Sequence, residues 1–138
     1  MKKMKKIYVF IMFFFVFLNC SGQAMLGSMP SEIRKRFDDP EFHLESGYDE
    51  DGEYYLAVLT ERAIVTYFFK GVNKPCYLTA IYPVTQGDLS FYVELYNKTC
   101  VIMSSTSWRK YFNKGFANIS LAFDDENSYF LWSLPSGN

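Results

Sequence analysis

The stretch "YYLAVLTERAIVTYFFKGVNKPCYLTAIYP", residues 54–83, decides the fold. It contains three runs rich in β-branched and aromatic residues, which favour strands. Residues 60–62 and 70–75 between the runs supply turn chemistry. Strands joined by such short loops pair antiparallel, so the stretch predicts an antiparallel meander. A further predicted strand, "FHLES" at 42–46, precedes it, with a hairpin turn at Asp51-Gly52 between them.

Upstream of the meander, "GSMPSEIRKRF" at 27–37 predicts a short first helix. Ser28 is a capping residue type, and Pro30 stands where proline is tolerated, at the start of a helix. The apolar residues are spaced by four and form one stripe, which consists of Met29, Ile33 and Phe37.

Downstream, "TQGDLSFYVELYNKT" at 85–99 predicts a second helix. Thr85 with Asp88 three residues later has the pattern of a capping box, with Asp in place of Glu. The apolar residues recur at helical spacing and are Leu89, Tyr92, Val93 and Tyr96.

Three further predicted strands follow the second helix, "TCVIMSS", "FANISLAF" and "SYFLWSL". "FANISLAF" alternates, with Ala117, Ile119, Leu121 and Phe123 on one side, which indicates one buried and one wetter face. The pattern assigns no element to "TSWRKYFNKG". The sequence therefore predicts an α+β fold with two short helices packed on one face of a mostly antiparallel sheet. The halves 28–84 and 85–135 are predicted to be a degenerate tandem helix-plus-meander repeat.

The amino terminus has the pattern of a signal peptide over residues 1–22. A basic segment with four lysines precedes an apolar run of about a dozen residues, too short to span a membrane, which takes roughly 20. Cleavage after Gly22 would expose Gln23, and cleavage after Ala24 also fits the small-residue rule. The alternative is lipoprotein processing with acylation of Cys20, although Phe17 and Asn19 fit a lipobox poorly.

Removal of residues 1–22 leaves a predicted single exported domain, 23–138, with 10 basic and 15 acidic residues. Its net charge is −5. Binding of nucleic-acid phosphates requires clustered lysine and arginine, so no nucleic-acid partner is predicted. Export predicts a periplasmic or secreted location. Association with a membrane is predicted only if Cys20 carries lipid. That compartment permits disulfides, and Cys76 and Cys100 form a candidate pair.

The search for catalytic and metal sites selects no residues. His43 is the single histidine, and neither it nor the cysteines show short-range ligand pairing. "DEDGE" at 49–53 has the start of a calcium loop but not its remainder, so a hairpin turn is the better interpretation. No cofactor and no enzymatic activity are predicted.

An aromatic sheet face is the candidate binding feature. If residues of the three central strands such as Leu78 and Ala80 face the helices, then Tyr55, Phe68 and Tyr77 share the opposite face. Large aromatic side chains with polar tips are favoured at protein interfaces. These three residues are therefore the predicted partner-binding residues, and coverage of the face by a loop or a sister chain is the alternative.

The opening "MLGSMPSEI", with Leu26-Gly27 followed by Glu32-Ile33 on the first helix, resembles small exported domains of the BamE/SmpA type and β-lactamase-inhibitor-protein-like folds. The resemblance implies a non-enzymatic, protein-binding role. We expect a protein-binding or envelope-interaction module with an unidentified protein partner. The alternatives are an inhibitor or immunity-type protein, and a small-ligand carrier or enzyme with its site between helices and sheet.

Overall fold

A computed structural model of the chain describes residues 24–135. It contains two α-helices, a 3-10 turn and eight strands. The helices are α1 (Pro30–Arg36) and α2 (Gln86–Thr99), and the 3-10 turn is Pro40–Phe42. The strands are β1 (Glu45–Tyr48), β2 (Tyr54–Leu59), β3 (Ala63–Phe69), β4 (Cys76–Pro83), β5 (Val101–Ser104), β6 (Ser107–Phe112), β7 (Gly115–Phe123) and β8 (Ser128–Ser133).

The eight strands form one antiparallel sheet with the order β1-β2-β3-β4-β8-β7-β6-β5. Each helix is followed by four strands that pair in sequence order. The last strands of the two halves, β4 and β8, pair with each other at the centre, where Ala80 lies opposite Leu131. The predicted α+β class and the antiparallel meander are confirmed.

Both helices pack on the same side of the sheet. Ile33 of α1 and Tyr92 and Tyr96 of α2 belong to one cluster of buried residues with alternate residues of the strands. In β2 and β3 the alternation is complete, because every second side chain is buried. Those strand residues are Tyr54, Leu56, Val58, Ala63, Val65, Tyr67 and Phe69.

Helix α2 closes the second half through aromatic contacts. The Tyr96 ring lies 5.6 Å from Trp108, 5.1 Å from Phe130 and 5.7 Å from Trp132, measured between ring centroids. The Trp132 indole Nε1 donates a 3.2 Å hydrogen bond to the Tyr96 hydroxyl, so this buried pair is polar as well as apolar. Rings in edge-on or tilted contact add to the stabilisation from burial alone.

The capping predictions are confirmed for α2 and corrected for α1. The Thr85 Oγ1 accepts a 3.1 Å hydrogen bond from the Asp88 amide, and the Asp88 carboxylate accepts one of 3.2 Å from the Thr85 amide. At α1 the capping position is occupied by Met29 and not by Ser28, and the Glu32 carboxylate accepts from the Met29 amide at 3.0 Å. The helix begins at Pro30, one residue later than a Ser28 cap requires. Proline fits this first position because it has no backbone N–H that would need an acceptor.

A bulge in β4 corrects the predicted direction of two side chains. Phe69 pairs with Cys76 but Phe68 pairs with Leu78, so Tyr77 is an extra residue on this strand. The bulge moves Leu78 and Ala80 to the side opposite the helices, where they were not expected. One extra residue reverses every later side chain of a strand, because side chains alternate with a period of two.

Three further segments can be compared with the sequence predictions, and one of them agrees. The Asp49 carboxylate accepts from the amides of Asp51 at 3.0 Å and Glu53 at 2.8 Å, and Gly52 has φ 81, which confirms the hairpin turn at Asp51-Gly52. The unassigned "TSWRKYFNKG" forms β6 and the turn into β7. "FHLES" forms a strand only from Glu45, because His43 has left-handed φ 45 after the 3-10 turn.

Cys76 and Cys100 do not form the candidate disulfide. Cys76 is a free, buried thiol whose Sγ lies 3.4 Å from both the Leu78 carbonyl oxygen and the Thr79 Oγ1. Cys100 directly precedes β5, four strand positions away in the sheet. Four strand spacings amount to roughly 19 Å, far more than the about 7 Å that a bridge allows.

The predictions on export concern residues outside the described part of the chain. The signal peptide 1–22, the processing residues Gly22 and Gln23 and the lipidation candidate Cys20 all precede Ala24. None of the helices within residues 24–135 has the length and apolar character needed to cross a membrane.

Candidate protein-binding face

The side of the sheet opposite the helices, here called the open face, carries a continuous set of apolar and aromatic residues on β2, β3, β4 and β8. The strand register places them in adjacent rows. Neither described helix contributes to this side, because both pack into the core on the other. The set consists of Tyr55, Ala57, Leu59, Ile64, Phe68, Leu78, Ala80, Tyr82, Tyr129 and Leu131.

Tyr55 and Phe68 lie together on the open face, as the sequence predicted. They are directly opposite each other in the β2–β3 pair, with ring centroids 6.4 Å apart. Both are half-buried. Each therefore presents part of its ring to solvent while the other part packs on its neighbour, which is the usual state of an aromatic residue on an uncovered sheet.

Tyr77, the third predicted residue, is held at one end of this face by two charged side chains. Its hydroxyl donates a hydrogen bond to the Glu53 Oε1, and the Lys70 Nζ lies 4.1 Å from the centre of its ring. The same Lys70 Nζ is 3.1 Å from the Glu53 Oε2. The hydrogen bond to Glu53 and the cation–π contact with Lys70 together restrain the Tyr77 ring.

This cluster shifts the pKa values of its members in opposite directions. The Tyr77 hydroxyl and the Lys70 ammonium lower the pKa of Glu53, because both stabilise the carboxylate. Burial and the neighbouring Glu53 carboxylate raise the pKa of Tyr77, because its ionised form would lose solvation and meet a like charge. At neutral pH the tyrosine hydroxyl is thus a donor to an ionised carboxylate.

The centre of the open face is dry even though the core is on the other side. Ala80 is 1% exposed although it does not belong to the core cluster, and its register partners are Thr66 and Leu131. The rings of Tyr82 and Tyr129 are 5.1 Å apart, and next to them Ile64 is 46% exposed. A small residue surrounded by large apolar ones forms a shallow, dry spot of the kind found at the centre of interfaces.

The remainder of the open face, on β5, β6 and β7, is mixed, because an aromatic pair of Tyr111 and Phe116, 5.7 Å apart, lies among its polar side chains. In register order the apolar row through Ala80 and Leu131 continues into Ser120 and Ser107. Beside it the Arg109 side chain donates to the Asn118 Oδ1 at 3.4 Å, and its guanidinium lies 4.2 Å from the centre of the Phe116 ring. The apolar half of the face is therefore bordered by hydroxyl, amide and guanidinium groups.

The sequence predicts two residues of this face, Tyr55 and Phe68, together with Tyr77 at its end, and misses most of the others. Leu78 and Ala80 were assigned to the helix side, and Ile64, Tyr82, Tyr129 and Leu131 were not singled out. The signal for β3 was present, since Ile64 and Phe68 alternate with the buried Val65 and Tyr67. Nothing in the sequence indicates that β8 pairs with β4, which is what brings Tyr129 and Leu131 to the patch.

His43, the single histidine, lies away from this face. It is exposed and lines an open surface depression of about 370 Å³ beside α1, together with Arg34, Asp38 and Asp39. No group of three metal-ligating side chains occurs within residues 24–135. The space between α2 and the sheet, where the carrier or enzyme hypothesis places a site, is occupied by the rings around Tyr96.

No family model, curated protein or solved structure matches this chain. The resemblance of "MLGSMPSEI" to BamE/SmpA-type and inhibitor-type domains accordingly stays a prediction.

Proposed function

We propose that the protein is a non-catalytic, exported module that binds another protein through the apolar half of its open face. The observation that carries the proposal is the set of adjacent apolar residues in that half, from Tyr55 and Phe68 through Ala80 to Tyr129 and Leu131, with Thr66 as a polar residue between Ala57 and Ala80. Soluble monomers rarely expose large contiguous apolar patches without a use for them.

The chemistry of this patch supports a protein as the occupant. Tyrosine and phenylalanine bring large contact area for little loss of side-chain entropy, and the dry centre at Ala80 has a polar border. The Glu53–Lys70–Tyr77 cluster holds one aromatic ring in place before any partner arrives. Such preorganisation lowers the entropy that binding costs.

We also propose that the protein is exported and that its two halves arose from one repeated unit. The signal-peptide pattern of residues 1–22 supports a periplasmic or secreted location, with a lipid anchor at Cys20 as the alternative. The repetition of one helix and four strands in the two halves, 28–84 and 85–135, supports an origin by duplication of one unit.

Site-specific photo-crosslinking in the native host tests the binding role. A photoreactive phenylalanine analogue replaces Phe68 or Tyr129 on the open face, and Phe112 serves as the control, because it is an exposed aromatic on the helix side of β6. We expect the same heavier adduct from both open-face positions and not from Phe112. Absence of an adduct, or an equal adduct from Phe112, would contradict the proposal.

The identity of the adduct then separates the binding hypotheses. If the partner is an enzyme whose activity falls when the purified protein is added, the inhibitor or immunity-type role is favoured. If the partner is an envelope component without such an effect, the assembly role is favoured.

A further inference from the structure

Charge is segregated along the sheet. Residues 95–123 contain Lys98, Arg109, Lys110 and Lys114 and no Asp or Glu, a net charge of +4. Residues 24–135 together contain 10 basic and 15 acidic residues, so the rest of the described chain has 6 and 15, a net charge of −9. The positive segment comprises the end of α2 and the strands β5, β6 and β7, which form one edge of the sheet.

The strand at this edge, β5, is apolar and exposed. Val101, Ile102 and Met103 are 48%, 57% and 50% exposed, and the strand contains no charged residue. It pairs with β6 on one side and with no other described strand on the other. Edge strands are usually protected by charges, bulges or short length, because an unpaired row of amides and carbonyls can pair with another chain. Strand β5 has four residues and a register shift between Ile102 and Ser104, but no charge.

The opposite edge shows the usual protection. Strand β1 contains Glu45 and leads into the acidic turn of Asp49, Glu50 and Asp51. The two edges of the sheet therefore differ both in charge and in the character of the edge strand.

Positive groups lie at the end of β5 that begins with Val101. Lys98 is exposed on the last turn of α2, and Lys114 is exposed on the turn between β6 and β7. The Lys110 Nζ donates to the Thr99 carbonyl oxygen at 3.4 Å, which keeps its charge beside the start of β5. An incoming strand would meet an uncharged strand along β5 and ammonium groups at its Val101 end.

We propose that the β5 edge binds an extended, acidic segment of a partner protein, which adds to the sheet as a ninth strand. The backbone of the segment would hydrogen-bond to β5, its apolar side chains would contact the exposed apolar side chains of β5, and its carboxylates would meet Lys98 and Lys114. This site is separate from the apolar half of the open face and does not depend on the function proposed for it.

Two other occupants fit the edge less well. A membrane surface would bury the unpaired backbone groups of β5 in an environment that cannot hydrogen-bond to them. Pairing of β5 with β5 of a second copy would bring two positive edges together. Pairing with the acidic β1 edge of a second copy would be head-to-tail, which produces rings or filaments and not a closed pair.

A pair of strand-length peptides tests the proposal. The probe is a fluorescein-labelled octapeptide of alternating Glu and Val, and its control has Lys in place of Glu; binding to the purified protein is measured by fluorescence anisotropy. We expect the Glu peptide to bind at least tenfold more tightly than the Lys peptide, with an affinity that falls as salt rises. A preference for the Lys peptide, or no binding of either, would overturn the proposal.

Variants and a third peptide locate the site. The double substitution Lys98→Glu with Lys114→Glu should weaken binding of the Glu peptide at least tenfold. Lys35→Glu with Lys74→Glu changes the net charge equally at exposed positions outside the segment and should leave binding within twofold. Proline in place of the two central valines of the peptide should abolish binding, because proline cannot pair as a central strand residue. Equal binding of the proline peptide, or equal effects of the two double variants, would disprove strand addition at β5.

Discussion

At the residue scale, Thr79 joins the amino-terminal segment to the sheet. Apart from aromatic residues and cysteine, it is the only buried residue of the described chain with a polar side chain. Its hydroxyl donates to the carbonyl oxygen of Ala24, which is itself buried. The nearby amides of Gly27 and Cys76 exchange 2.8 Å hydrogen bonds with the carbonyls of Cys76 and Ser28. Residues 24–28 are thereby fixed to β4 by main-chain and side-chain bonds.

We predict that Thr79→Val destabilises the protein by about 1–3 kcal/mol, because the buried Ala24 carbonyl loses its donor while the volume hardly changes. Thr66→Val is the matched control, since Thr66 is half-buried on the open face, and it should change stability by less than about 0.5 kcal/mol. Urea denaturation measures both. Equal losses would show that the Thr79 hydroxyl has no special role.

Glu53 makes stability depend on pH in a defined direction. The Tyr77 hydroxyl and Lys70 lower the pKa of Glu53 in the folded protein. The contribution of Glu53 to folding stability is therefore complete above the pKa of an unfolded glutamate, about 4.3, and is lost as pH falls through the folded pKa. We predict that the melting temperature of Glu53→Gln falls less between pH 6 and pH 3 than that of the unchanged protein. Glu50→Gln, on the same turn, should retain the full decrease. Parallel curves for all three proteins would rule out the Glu53 contribution.

At the scale of elements, the sequence predicts correctly those features that depend on residues within one segment, and it misses those that depend on pairing between segments. The capping box of Thr85 and Asp88 and the aromatic stripe of α2 are contained in one segment, and the helix forms where they predict it. Strand β6 was missed because charged Arg109 and Lys110 stand on both sides of the strand, which conceals the alternation around the buried Trp108. The sequence does not predict the β4 bulge at Tyr77, because a bulge is defined by the pairing with β3. The periodicity of one strand does not show how that strand pairs with its neighbour.

We predict that Thr85→Ala lowers the unfolding free energy by about 1 kcal/mol, because the Asp88 amide loses its acceptor at the start of α2. Ser90→Ala, at an exposed position of the same helix, should be neutral or slightly stabilising, since alanine has the higher helix propensity. Chemical denaturation followed by circular dichroism separates the two. A loss at Ser90 as large as that at Thr85 would contradict the capping role.

At the scale of the whole molecule, the two halves share one core. The buried cluster runs from Ile33 and Phe37 under α1 to Tyr96 and Trp132 under α2 without a break, and β4 and β8 join the two meanders through the sheet. The candidate site has the same property, because its apolar half takes residues from both meanders. It could be predicted from the sequence only in the part that lies within β2 and β3.

We therefore predict a single cooperative unfolding transition. Both tryptophans, Trp108 and Trp132, belong to the second half, so their fluorescence reports on that half. A fluorophore attached at an exposed position of the first half, through Lys74→Cys with Cys76→Ala and Cys100→Ala as background, reports on the other. Coincident midpoints for the two probes are expected, and midpoints that differ would show two independently stable units.

The strand order also fixes the sequence of events by which the sheet can be completed. The central partner of β4 is β8, whose pairing residues lie about 50 positions later in the chain, and contacts of such high sequence separation slow folding. Until residues 128–133 have been made, the amides and carbonyls along residues 78–81 have no strand to pair with on that side, although they belong to one of the most apolar segments of the protein. The nascent chain thus carries an unpaired apolar strand while the 50 residues from 84 to 133 are made, and the sheet is completed only when β8 is present. A factor that holds the chain unfolded during biogenesis would therefore have residues 76–83 among the segments that it shields.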